Sequence, residues 1–211
     1  SQAQRIIADW VGGEMKDAQL IGIGHRVVHG GPVYSAPVLV DDGHTLAESG
    51  AILEYLVERY DTGHALSPTP LPVDSPERLQ YRYWMHYAEG SAMPPLLLTL
   101  VLARIRDARM PFFARPVARS IIGKAMAGFV GPQVKLHLDW MESSLARSGG
   151  WFGGERFTAA DIQMSFPVEA AAARHGLAAH PQLAGFLQRI HARPAYQRAL
   201  AQGGPFALAG G

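Results

Sequence analysis

The chain reads as an α/β segment followed by an all-helical bundle, and three observations carry that reading. The run Pro37 to Ile52 reads as a strand, a Gly turn, a short strand and a helix start carrying Glu48-Ser49. Asp61 to Pro72 is rich in Gly, Pro, Ser and Thr, a composition in which helices do not persist. From Ser75 onward, helix-start signals recur and strand signals do not. The expected division is 1–60 for the α/β domain, 61–74 for a linker and 75–211 for the helical domain.

The elements follow in order. Ile21 to Val28 is an apolar run that reads as a strand supplying sheet core, with Gly30-Gly31-Pro32 as its turn. At the helix start, Glu48 and Ser49 admit two readings. A Ser at a helix start is an ordinary cap, and the same hydroxyl, with unpaired first-turn amides and the positive end of the helix dipole, can hold a carboxylate. Glu48 beside it would then hold an ammonium group. Ser75-Pro76-Glu77 gives a hydroxyl N-cap, a proline at the first helical position and an acid in the first turn, so a helix runs from Ser75 toward Ser91. Its Tyr81, Tyr83, Trp84 and Tyr87 lie on more than one face. Met93-Pro94-Pro95 is expected to bend or interrupt the helix before it resumes from Leu96 to Ile105. Another is expected from Pro116 to Phe129, and Pro132 opens the next, through Leu145. Thr158 and Asp161 have the spacing of a reciprocal cap, with Phe157 and Ile162 where a hydrophobic staple would sit; both polar residues are assigned to structure. Pro181 to Arg193 and Pro194 to Gln202 close the chain.

Composition removes several functions. Of 211 residues, 48% are hydrophobic, 18% are charged and none is Cys, which rules out a disulfide framework, a thiol nucleophile and a Cys-ligated zinc site. Nineteen basic residues balance eighteen acidic ones, and no basic run marks a nucleic-acid partner. No signal-peptide pattern opens the chain and no stretch of about 18 apolar residues is read as spanning a membrane, so no membrane partner and a cytoplasmic location are expected.

The run PVLVDDGHTLAESGAILEYL resembles the second half of the thioredoxin-like domain of glutathione S-transferases, and WFGGERFTAADI and RIHARPAYQRAL resemble their helical domain. The resemblance extends from about Pro37 to the end. It implies a thioredoxin-like domain, partial or rearranged at its start, followed by a helical bundle. It further implies a cis-proline at Pro37, a Val38 backbone that pairs with the cysteinyl part of glutathione, and a Glu48-Ser49 pair that binds its γ-glutamyl end. Glutathione is then the co-substrate, its thiolate attacks small electrophilic molecules, no metal is needed, and the protein is a homodimer. A hydrogen bond to the thiolate lowers the thiol pKa and raises the nucleophile fraction. The family places that donor near the first strand or helix, where Ser1 is the nearest match and Tyr34 a more distant one. Tyr87 and Met93 are candidates for the electrophile side.

The first forty residues depart from this pattern. Ser1 to Trp10 resembles a transferase first helix, which in that family follows a strand. Gly24-His25-Arg26-Val27-Val28-His29-Gly30-Gly31 resembles the GHRVVHGG signature of acetate kinases, a resemblance covering about Ile6 to Val40 and placing Arg26 toward an acyl phosphate. It suggests a fusion in which a kinase-like fragment supplies the start of a transferase-like domain, with weak or no transferase activity as the alternative outcome. Kinase activity is not expected, because Gly-His-Arg alone does not orient ATP, magnesium and acetate together.

Overall fold

The computed structural model describes residues 38–203. The expected helix at Ser1 to Trp10, the strand at Ile21 to Val28 and its turn, and the individual residues Ser1, Arg26, Tyr34 and Pro37 lie outside them.

The described part opens with an antiparallel hairpin, β1 (Val38–Asp41) and β2 (His44–Ala47), paired in the register Val38 with Ala47 and Asp41 with His44. Its two-residue loop is Asp42-Gly43, both at positive φ (51° and 80°), the backbone that matches the twist of a tight hairpin and that Asp-Gly adopts readily. Helix α1 (Ser49–Tyr60) follows at once and buries Ile52, Leu53, Leu56 and Val57. The hairpin is pinned to α1 by Asp41. This carboxylate is 2% exposed and accepts hydrogen bonds from Tyr55 (2.8 Å) and Tyr60 (2.6 Å). Burial pushes its pKa up, but the two phenol hydrogen bonds and the Arg59 charge prevail and hold it below the usual range.

Residues 61–75 carry no helix or strand but are firmly tied down. Asp61 accepts from the amides of Ala65 and Leu66, Leu66 accepts from the Ala159 amide, and Arg156 donates to the Ser67 carbonyl. The chain then forms α2 (Pro76–Tyr87), whose N-cap Ser75 accepts from the Arg78 amide. Instead of breaking at Met93-Pro94-Pro95, α2 passes through one π-helical turn, Ala88–Ala92, into α3 (Met93–Asp107). The Met93 amide reaches back five residues to the Ala88 carbonyl, and this wider register accommodates two successive residues that lack an N–H. The same device recurs after α4 (Ala114–Ala125). A π turn, Met126–Val130, joins it to α5 (Gly131–Ser148), so the two helices expected at 116–129 and 132–145 form one continuous rod. Gly131 sits at the crossing, where a Cβ would lie 2.8 Å from the Met126 carbonyl oxygen.

Helix α6 (Ala159–His175) is the hub. It packs on α1, α2, α3 and α7, and small residues such as Ala160, Ala170 and Ala171 are fully or almost fully buried on it. Its start is the expected capping box. Asp161, 0% exposed, accepts from the Thr158 amide (2.9 Å), the Thr158 hydroxyl (3.1 Å) and the Phe152 amide (2.6 Å), tying the preceding loop to the helix. Phe157 and Ile162 are both buried beside it. Trp84, Phe152 and Phe186 form an aromatic column through the bundle, with ring centroids 4.6 and 4.9 Å apart. Helices α7 (Pro181–His191) and α8 (Pro194–Gly203) close the described part.

Candidate functional site

The hairpin delivers the chain to the α1 N-terminus in an uncommon conformation. Glu48 has φ 73° and ψ 123°, a region that costs a non-glycine residue about 1–3 kcal/mol. Its side chain makes no capping hydrogen bond, and its carbonyl accepts from the Ile52 amide as the first bond of the helix. The first-turn amides and the dipole therefore face outward at an exposed Glu48-Ser49 corner. Val38 lies in the hairpin opposite Ala47, one residue before Glu48, so these three backbone positions converge at one end of the two-stranded sheet.

Two residues from the helical part meet this corner. Gln163, on α6 and 4% exposed, donates through Nε2 to the Ser49 hydroxyl oxygen at 2.9 Å. Glu89, in the π turn after α2, lies close enough to Ser49 and Glu48 for its carboxyl to feel both. Partial desolvation raises the Glu89 pKa, the neighbouring Glu48 charge adds to the rise, and the Ser49 hydrogen bond opposes it. The result is a Gln163–Ser49 hydrogen bond beside two carboxylates, Glu48 and Glu89, and a helix N-terminus. Such a corner offers donors to a carboxylate and acceptors to an ammonium on adjacent atoms. Sequence reading found Glu48 and Ser49 but not Gln163 or Glu89, which converge on Ser49 from 114 residues and 40 residues away in the chain and carry no local signal.

The electrophile-side candidates occupy different surroundings. Tyr87 is 7% exposed, packs against Trp84 and Tyr83, and hydrogen-bonds His137 Nδ1 at 2.5 Å. Burial pushes its phenol well above the usual range and His137 below its own. It is thus an interior residue of the bundle. Met93 is half-buried at the exit of the π turn. Among the described residues no group of three or more His, Asp or Glu side chains is arranged to hold a metal ion. The cis geometry expected at Pro37 falls outside the described residues; the cis bond within them is Thr69–Pro70.

Comparison with known proteins decides the family. Residues 26–65 match the N-terminal domain of glutathione S-transferases and residues 106–202 their C-terminal domain. Glutathione S-transferase 1 of Saccharomyces cerevisiae is 31% identical over 173 residues, spanning 78% of this chain and 72% of that protein. The chain belongs to the glutathione S-transferase family. Glutathione S-transferase 3 of Schizosaccharomyces pombe is 39% identical over 140 residues, covering 66% of the chain but 55% of that relative; the chain thus spans little more than half of that transferase. Among solved structures, a glutathione S-transferase from Actinobacillus pleuropneumoniae superposes with TM-score 0.65 at 28% identity over 85% of the chain and 74% of its own. A transferase from Anopheles dirus, at 21% identity and TM-score 0.68 over 96% of this chain and 91% of its own, shows the shared fold. The transferase fold, a thioredoxin-like domain followed by an all-helical one, is therefore that of this chain.

An acetate kinase from Methylocella silvestris is 50% identical over 42 residues, which is 20% of this chain and 10% of that kinase. A match of this length does not establish a fusion, and the transferase N-terminal match already begins at residue 26, within the GHRVVHGG run.

Proposed function

We propose that this chain binds glutathione and transfers its thiolate to small electrophilic molecules. The observation that carries the reading is the strained Glu48 at the mouth of α1, which turns Glu48, Ser49 and the first-turn amides outward beside Glu89. Strain of this kind persists where the surrounding structure enforces it, and such positions cluster at ligand sites. In this reading the γ-glutamyl carboxylate lies on the helix N-terminus and the Ser49 hydroxyl, and Glu48 and Glu89 receive the ammonium. The Ser49 hydroxyl then donates to that carboxylate, and Gln163 holds its oxygen in place. Pro37 and Val38 pair with the cysteinyl backbone, and Ser1 is the donor proposed for the thiolate. Met93 is proposed on the electrophile side, whereas the burial of Tyr87 argues for an indirect part there through packing.

The division at 61–74 and a cytoplasmic location belong to the same proposal. So does a homodimer, which is supported by a groove of about 500 Å³ between α2 and α5, lined by Tyr83, Trp84, Trp140 and Arg147. Leu79, Tyr83, Leu136 and Trp140 expose large apolar area on or beside this groove.

Ser49→Ala tests the site. It removes the donor to the ligand carboxylate and is expected to weaken glutathione binding by about tenfold, the worth of one charge-assisted hydrogen bond. Glutathione affinity unchanged in Ser49→Ala and in Glu48→Gln, with both variants folded, would refute the assignment.

A further inference from the structure

Charge is strongly segregated at the corner joining α3 to α4. Arg104, Arg106, Arg109, Arg115, Arg119 and Lys124 are all exposed there. Asp107 is the sole acid between residues 90 and 138, in a chain whose basic and acidic residues number 19 and 18. Asp107 pairs with Arg106; Arg104, Arg109, Arg115 and Lys124 form no ion pair with the described residues, and Arg119 senses the Asp107 charge from a distance. At the tip, Phe112 and Phe113 stand 82% and 70% exposed, their rings in contact with each other at 5.7 Å. The outward side of α3 adds Leu97, Leu98, Val101 and Ile105, all exposed. The opposite side of the same rod, through Trp84, Ala88, Ala92 and Leu96, is bundle core.

We propose that this corner docks the protein on bilayers rich in anionic phospholipid, with Phe112 and Phe113 entering the headgroup boundary and the arginines meeting lipid phosphates and carboxylates. Large apolar side chains next to a dense cationic collar are the arrangement that binds such surfaces, and each added cation near an anionic leaflet strengthens attachment. An 18-residue window of the Pro76–Asp107 rod has mean hydropathy 1.2 and only 22% of it is buried, and because its inner side is core, the rod lies along a surface and does not cross it. The two aromatic rings project from a turn, 82% and 70% exposed, where they can enter a bilayer together. A second copy pressing the same corner against this one would oppose two strongly cationic patches. The proposal stands apart from the glutathione site.

Co-sedimentation with vesicles tests it, using phosphatidylcholine alone and phosphatidylcholine with about one third phosphatidylserine. The expected result is binding to the phosphatidylserine vesicles that falls as salt rises and that drops about tenfold or more in Phe112→Ser/Phe113→Ser. Arg104→Gln/Arg109→Gln/Arg115→Gln is expected to weaken it similarly, and circular dichroism and glutathione affinity should stay unchanged in both variants. Absence of sedimentation with either vesicle, equal binding to both, or binding retained by the double Ser variant would overturn the proposal. A loss of self-association in the double Ser variant without vesicle binding would assign the corner to a second copy instead.

Discussion

Replacing Asp161 by Ala removes the acceptor on which the start of α6 depends, and the structure sets the size of the loss. The carboxylate is fully buried and takes two backbone amides, Phe152 at 2.6 Å and Thr158 at 2.9 Å, together with the Thr158 hydroxyl. A buried donor left unpaired costs about 1–3 kcal/mol. Two such amides give about 2–6 kcal/mol at pH 7, or a fall in melting temperature of about 4–24 °C for a chain of this size. The pH dependence supplies a sharper test. Complete burial pushes the Asp161 pKa from 3.8 to about 6, against the hydrogen bonds that favour its charge. The folded state therefore holds a proton that the unfolded state releases between about pH 4 and 6. Wild-type stability from this group rises as pH is lowered from 7 to 5, by about 1 kcal/mol. The Ala variant lacks that gain, so its penalty grows toward pH 5. Urea unfolding followed by tryptophan fluorescence at pH 7 and pH 5 measures both quantities, and other titrating groups cancel in the difference. A penalty below about 1 kcal/mol at pH 7, or one that shrinks toward pH 5, would refute the reasoning.

Three further outcomes follow from particular contacts. Gly131→Ala places a Cβ 2.8 Å from the Met126 carbonyl oxygen; it is expected to lose about 1–3 kcal/mol in chemical denaturation, despite the better helix propensity of Ala. Glu48→Gly relieves the positive-φ backbone and is expected to raise unfolding stability by about 1 kcal/mol while weakening glutathione binding, a trade read by paired denaturation and calorimetry. His137 has its pKa held below 6.5 by burial, so the unfolded chain binds the proton first and stability is lost as pH falls from about 6.5 through the lower folded value. His137→Gln is expected to flatten that part of the stability profile, and an unaltered profile would show that the Tyr87–His137 bond does not sense protonation.

The parts of this fold that short-range chemistry determines were legible in the sequence. Asp42-Gly43 defines the hairpin because both residues tolerate positive φ, and Thr158 with Asp161 defines a helix start through a three-residue spacing. The continuity of the two long rods was not legible. Pro94-Pro95 and Pro132 read as breaks, since the loss of an amide is visible in the sequence and the compensating π turn is not. The site was half legible for a similar reason. Glu48 and Ser49 follow from the hairpin that precedes them, whereas Gln163 and Glu89 reach Ser49 only because α6 packs on α1 and α2. Tyr87 shows the converse: an aromatic on a crowded helix gave no sign that its hydroxyl would be spent on His137 in the interior.

The central claim is that the α1 corner holds glutathione, and titration of the protein with reduced glutathione in a calorimeter tests it most directly. The account predicts saturable heat with a dissociation constant in the micromolar to millimolar range, weakened in Ser49→Ala. No heat at millimolar glutathione, from a protein that unfolds cooperatively, would contradict it and leave a transferase fold without its co-substrate.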